Sequence, residues 1–208
     1  MFKIITLIVA MSSILYELTL AQLSSAFLGG TLQQYTLTIG FYVFSLGVGS
    51  LYYGKINKTI KNKITYFINL EFILILSGVS FPFILYYSSS HLSLVFLYVF
   101  IYTMISLIGF LSGIELPLLM DIFNNNNNSY SGLILALDFF GTFLGTVLFP
   151  LVLIPYFNFI QIPAIIGCLN LSSLLLIIFK SSNIKFKIKF IIIFLILITC
   201  NILGNGII

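Results

Sequence analysis

Long, nearly unbroken apolar runs separated by short polar breaks constrain this 208-residue chain more than any motif does. A helix needs about 20 mostly apolar residues to cross the hydrocarbon core of a bilayer. Seven segments qualify as candidates: residues 2–23, 34–53, 64–86, 92–120, 132–154, 162–179 and 190–203, the last extended by 204–208. The breaks between them carry turn chemistry, with Gly29 and Gly30 after the first, the Ser88, Ser89 and Ser90 run after the third, and Pro155 to Pro163 between the fifth and sixth. Only 7% of the residues are charged and the mean hydropathy is +1.18. Soluble domains are about a quarter charged, so a soluble globular fold is excluded. Strands of a membrane barrel alternate apolar and polar residues, and these runs are continuously apolar. The expected fold is all-α: a polytopic membrane helix bundle of about seven transmembrane helices, forming one domain over residues 1–208.

The basic residues are topology markers. All nine are lysines, placed at Lys3, at Lys55, Lys58, Lys61 and Lys63, and at Lys180, Lys185, Lys187 and Lys189. Lysines in short loops stay on the cytoplasmic side. With the amino terminus cytoplasmic, all nine fall on that side and the carboxy terminus lies outside, most simply in the plasma (inner) membrane. The net charge of +4 therefore needs no nucleic-acid partner, and no basic face with interleaved stacking aromatics is present. The expected partner is the lipid bilayer. The first segment also has some features of a signal peptide, but Glu17 and Gln22 interrupt that pattern. Cys168 and Cys200 lie in apolar runs and are expected to behave as small buried hydrophobes. The Asn124 to Asn128 run falls in an inside loop. The sequons starting at Asn57, Asn127 and Asn170 fall inside or within a span and are not expected to be glycosylated.

The acidic residues carry the functional signal. Of five, Glu17, Glu71, Glu115 and Asp138 lie within the apolar runs, and Asp121 lies at an inner loop. An ionisable residue at the centre of a membrane helix costs about 2.5–3.5 kcal/mol on insertion scales and usually faces a bundle interior or an aqueous cavity. No lysine lies deep in a span and the chain has no arginine. Each carboxyl must then be protonated, hydrogen-bonded to groups such as Tyr16, Tyr42 or Tyr102, hydrated, or opposed by a cation from outside the chain. The last option makes these four residues a candidate cation- or substrate-binding set; the alternative makes them neutral cross-links between helices. Depth along the helices groups Glu71, Glu115 and Asp138 in the inner half and places Glu17 across the midplane. No metal or cofactor motif is present, His91 stands alone in an outer loop, and no nucleophile and base pairing suggests catalysis.

Small residues form a second pattern. Gly109 with Gly113 and Gly141 with Gly145 are GxxxG pairs, while Gly47 and Gly49 with Ser45 and Gly54 give the second span a small face. Such faces let helices approach closely, and packing within the bundle is expected. A repeat is also visible in two halves, about 1–86 and 92–179, followed by a last helix at about 190–208. Each half opens with a helix bearing a late glutamate and continues with a glycine-rich helix. Three-helix units in tandem are inverted relative to each other in a membrane.

Several blocks together resemble the amino-terminal transmembrane domain of spermidine synthase-like membrane proteins. They are Leu15-Tyr16-Glu17-Leu18, residues 32–40, Ser45-Leu46-Gly47-Val48-Gly49-Ser50, residues 113–119, residues 135–141, and Leu148-Phe149-Pro150 followed by Pro155. The resemblance covers about residues 10–180. In that family the membrane domain is commonly fused to an aminopropyltransferase fold, and no catalytic residue of that fold has a counterpart in this sequence. Phe139 stands where relatives often have tyrosine. The resemblance implies a membrane role for Glu17, Glu115 and Asp138. Two functional classes remain open: a module that binds or moves a small cation such as a polyamine, and a non-catalytic anchor or assembly subunit for a separately encoded soluble aminopropyltransferase. An intramembrane enzyme has little support.

Overall fold

The computed structural model describes residues 2–123 and 131–178. Among them every regular element is helical: α1 (Phe2–Leu28), α2 (Thr31–Ile56), α3 (Lys63–His91), α4 (Leu94–Phe123), α5 (Ser131–Tyr156) and α6 (Gln161–Ile178). The first five are long and apolar enough to cross a membrane, and α6 is a shorter apolar helix. This makes six helices where the sequence predicts seven; the predicted seventh, at 190–203, lies outside the described residues.

Local chemistry explains the ends. Gly29 and Gly30 sit at φ of 75° and 62°, a left-handed backbone that side chains resist, and they turn the chain sharply from α1 into α2. Asn62 caps α3 by accepting the Thr65 N–H at 3.1 Å, which satisfies a donor with no partner inside the helix. The expected break at Ser88 to Ser90 does not occur. Ser89 and Ser90 donate to the carbonyls of Tyr86 and Tyr87 at 2.8 Å, and α3 runs on through His91. The sequence signal failed because serine hydroxyls can bond back to the helix that carries them. His91 ends that helix, exposed and stacked on Tyr87 with ring centroids 4.4 Å apart. Pro82 and Pro117 lie inside α3 and α4. In α5, Pro150 has no N–H to continue the ladder, and a π turn at Phe149–Leu153 carries the helix on to Tyr156.

Two pairs of helices are held in backbone contact by glycine. On the α2–α4 seam, a Cβ on Gly49 would fall on the Phe110 carbonyl oxygen, one on Gly113 would fall on the Leu46 carbonyl, and one on Gly109 would lie 2.8 Å from the Tyr42 carbonyl oxygen. On the α1–α5 seam, a Cβ on Gly141 would lie 2.5 Å from the Leu7 carbonyl oxygen and one on Gly145 would lie 2.9 Å from that of Met11. Gly47 differs, because a Cβ there would meet nothing within 4 Å. It opens space rather than closing it. In the third close approach, Gly78 on α3 admits the ring of Tyr16 from α1.

The interior divides into two apolar clusters. One surrounds Ile5, Val9, Tyr53 and Phe67 toward the end that carries Lys58, and the other surrounds Leu15, Leu20, Phe81 and Ile105 toward the opposite end. Helix α1 is central, packing on α5, α2, α6 and α4 and touching α3. Cys168 departs from expectation: it is exposed on α6, because the apolar composition of α6 does not reveal which of its faces is covered. Cys200 lies outside the described residues.

Overpacking a tight site costs about 1–3 kcal/mol. Gly49→Ala and Gly113→Ala should each lower thermal stability in detergent by about that amount, because the obstructing atoms are backbone. Gly40→Ala, facing open space, should be neutral or mildly stabilising; equal melting temperatures for all three variants would contradict the packing described.

Candidate acidic cavity

Helices α1, α2, α4 and α5 enclose a cavity of about 450 Å³. Its wall is mostly apolar, with Val9, Ile14, Val43, Leu46 and Leu116 among its residues, and its polar groups are Ser13, Glu17, Ser50, Ser112, Glu115, Asp138 and Thr142. Gly47 and Gly113 form part of the wall, so the same small residues that let the helices approach also leave volume beside the contact.

Three of the four carboxylates singled out in the sequence line this one space. Glu17 is among them, although depth alone placed it away from Glu115 and Asp138. Counting residues along a helix gives height and not direction, and α1 and α4 turn these two glutamates toward the same space. Glu71, on α3, stands behind the wall as a neighbour of Glu115. Glu115 has Asp138 as a further electrostatic neighbour. All three glutamates are buried.

Among the described residues, of the options open for these carboxyls, hydrogen bonds from Tyr16, Tyr42 or Tyr102 are not the one taken. Both Glu71 oxygens, Glu115 Oε1 and the Tyr16 hydroxyl are buried without a hydrogen-bond partner. Buried polar groups in folded proteins are nearly always satisfied; Glu71 and Glu115 stand within side-chain hydrogen-bond reach of each other, so these bonds are missing only while both are carboxylates, and one proton shared by the pair joins them within the chain. The Tyr42 hydroxyl is instead tied between two helices. It donates to the Ser112 hydroxyl at 3.1 Å, and it lies 3.1 Å from the Ser13 carbonyl and 3.2 Å from the Ser13 hydroxyl. Tyr102 donates to Gln34 Oε1, whose amide nitrogen reaches the Tyr98 hydroxyl at 3.4 Å. The sequence singled out neither serine. Their sole signal was a hydroxyl in an apolar helix.

Asp121 behaves differently. It accepts from Lys63 Nζ at 3.0 Å and from the Tyr53 hydroxyl at 2.9 Å. Lys63 thus does more than mark topology, since it ties the start of α3 to the end of α4. The pair is about a third exposed on each side and so adds only a modest amount to stability. Among the described residues, no group of three or more His, Cys, Asp or Glu is arranged to hold a metal ion.

Removing the Tyr42 hydroxyl deprives buried Ser112 of its partner, a loss of about 1–3 kcal/mol. Tyr42→Phe is expected to lower the unfolding midpoint in detergent accordingly. An unchanged midpoint would show that the link between Ser13 and Ser112 does not hold the helices together.

Known proteins match this chain over only part of their own length. The chain is 31% identical over 166 residues to a polyamine aminopropyltransferase of Leptospira interrogans, a match covering 79% of this chain and 32% of that protein. It is 30% identical over 173 residues to a polyamine aminopropyltransferase of Oceanobacillus iheyensis, covering 82% and 33%. A polyamine aminopropyltransferase 2 of Ralstonia nicotianae is 30% identical over 172 residues, covering 78% and 32%. No protein-family model matches the chain, and no solved structure gives a significant match. The chain therefore resembles polyamine aminopropyltransferases and spans about a third of the length of these curated relatives.

Proposed function

We propose that this chain is a membrane-embedded module, similar to the amino-terminal part of its longer relatives, whose acidic cavity binds and passes a small organic cation of the polyamine class. The observation that carries this reading is Glu115: it is 3% exposed, stands beside Glu71, and lines a cavity with Glu17 and Asp138 in which the described lining holds no basic group. A polyamine supplies what the chain lacks. Its ammonium groups oppose separated carboxylates, and its methylene segments suit a wall built from Val9, Ile14, Val43 and Leu46. The activity for which the relatives are named supports the solute class.

The membrane setting rests on the outward faces. Leu51 and Phe44 on α2 are 72% and 71% exposed, and Phe139, Phe143 and Leu151 on α5 are similarly bare. Large apolar areas facing outward are costly in water and favourable in lipid. Lysine placement orients the end carrying Lys55 and Lys58 toward the cytoplasm, with the predicted carboxy terminus outside.

A second reading has its own support in the length of the relatives. A chain matching a third of an aminopropyltransferase can serve as an anchor or assembly subunit for an enzyme domain, its carboxyls acting as neutral packing groups.

Titration of spermidine into the purified chain in lipid nanodiscs separates the two. Saturable binding is expected, weakened at least about tenfold, or about 1.4 kcal/mol, in Glu115→Gln and Asp138→Asn variants that keep the parent's thermal stability. Affinity equal to the parent's in both variants, or no saturable binding by the parent, would remove the cation site; co-purification of a soluble aminopropyltransferase with the non-binding chain would then favour the anchor.

A further inference from the structure

We infer that the seam between α4 and α5 and the seam between α1 and α2 are one interface seen in two states, which makes the cavity one stage of an alternating-access path. This rests on the cation-binding reading above. The two halves share a register. Glu17-Leu18-Thr19-Leu20 on α1 corresponds to Glu115-Leu116-Pro117-Leu118 on α4, and Leu46-Gly47 on α2 to Leu144-Gly145 on α5. The starts of α3 and α6, Lys63 and Gln161, follow at the same residue spacing.

Packing repeats along with the register. At the level of whole helices, the close packing of α2 on α4 is answered by that of α5 on α1, although the glycines that make the two contacts stand at different positions of the register. The contact of α3 with α4 is answered by that of α6 with α1. Two units of three helices each run in opposite senses across a membrane, and sites in such folds lie where the repeats meet. Glu17 and Glu115 occupy corresponding positions in the two halves and reach the same cavity from either side.

The pairing of helices departs from this correspondence at the α1–α2 and α4–α5 seams. Among the described residues, helix α1 packs on α2, across the two-glycine turn that joins them, more closely than α4 packs on α5. The closed seam is tied by Tyr35, whose hydroxyl donates to Gln22 Oε1. At the loose seam the cavity takes its wall from Glu115, Leu116 and Leu119 on one side and from Asp138 and Thr142 on the other. Helix α4 ends and α5 begins at the Asp121–Lys63 end of the bundle, while α1 ends and α2 begins at the Gly29–Gly30 end. Among the described residues, the looser seam thus lies toward the Lys63 end and the closer one toward the Gly29–Gly30 end. The two glycine seams make α1 with α5 and α2 with α4 into tight pairs. Rocking one pair against the other would close α4 on α5 while parting α1 from α2, and a cation between Glu17 and Glu115 would then face the opposite side.

Locking the closed seam tests this. In a chain carrying Cys168→Ala and Cys200→Ala, Gln22→Cys with Tyr35→Cys can be bridged by a short bis-methanethiosulfonate and released by reductant. In proteoliposomes the bridged chain is expected to move spermidine at least about tenfold more slowly than before bridging, to recover on reduction, and to keep spermidine binding within about twofold. Tyr35→Phe, which removes only the hydroxyl tie, is expected to bind as the parent does and to move spermidine faster. A bridged chain transporting at the unbridged rate, a slower Tyr35→Phe, or a parent that binds without transporting would overturn the two-state seam while leaving the cation site standing. Absence of binding by the parent would instead remove the cation site, and the inference with it.

Discussion

Backbone contact through glycine is the constraint on which the rest of this structure depends. Gly49, Gly109 and Gly113 bring α2 against α4, and Gly141 with Gly145 brings α5 against α1, at separations that leave no room for a Cβ. Membrane helices gain little from burying apolar surface against one another, because lipid is equally apolar; close van der Waals contact is the available driving force. Two tight pairs formed in this way cannot also close every other seam. The space left where they diverge is the acidic cavity, and Gly47 and Gly113 line it.

Charge then decides what that space can hold. Glu17, Glu115 and Asp138 line it with no lysine among its described lining residues, and Glu71 stands beside Glu115. The one carboxylate close to a helix end, Asp121, does have a lysine and a tyrosine. Glu71 and Glu115 instead have each other as carboxyl neighbours. Tyr42 is hydrogen-bonded elsewhere and Tyr16 to nothing, so the obvious neutral partners inside the bundle are not used by the carboxyls either. The proposed cation fills that role.

Much of this was legible in the sequence, for reasons of period and composition. Apolar run length located the first five helices, Gly29 and Gly30 located the first turn, and the paired glycines pointed to close packing. What sequence could not show was direction around each helix. Glu17 sits at a height different from that of Asp138 yet shares its cavity, Cys168 lies on an uncovered face, and Gly47 faces open space although its neighbour Gly49 is in backbone contact. Hydroxyl chemistry was the other source of error. Ser88 to Ser90 resembled a break yet lie within α3, and Ser13 with Ser112 carried no pattern that would reveal Tyr42 between them. The unequal seams follow in part from connections of different length, two glycines between α1 and α2 and seven residues between α4 and α5.

A structure of the chain determined in lipidic mesophase with spermidine present tests the central claim most directly. The account predicts an ordered, extended ligand in the cavity, with one ammonium nitrogen at hydrogen-bond distance, about 2.7–3.2 Å, from Glu115 and another near Asp138 or Glu17. A closed, dry cavity holding no spermidine, with Glu115 bonded only to Glu71, would contradict it.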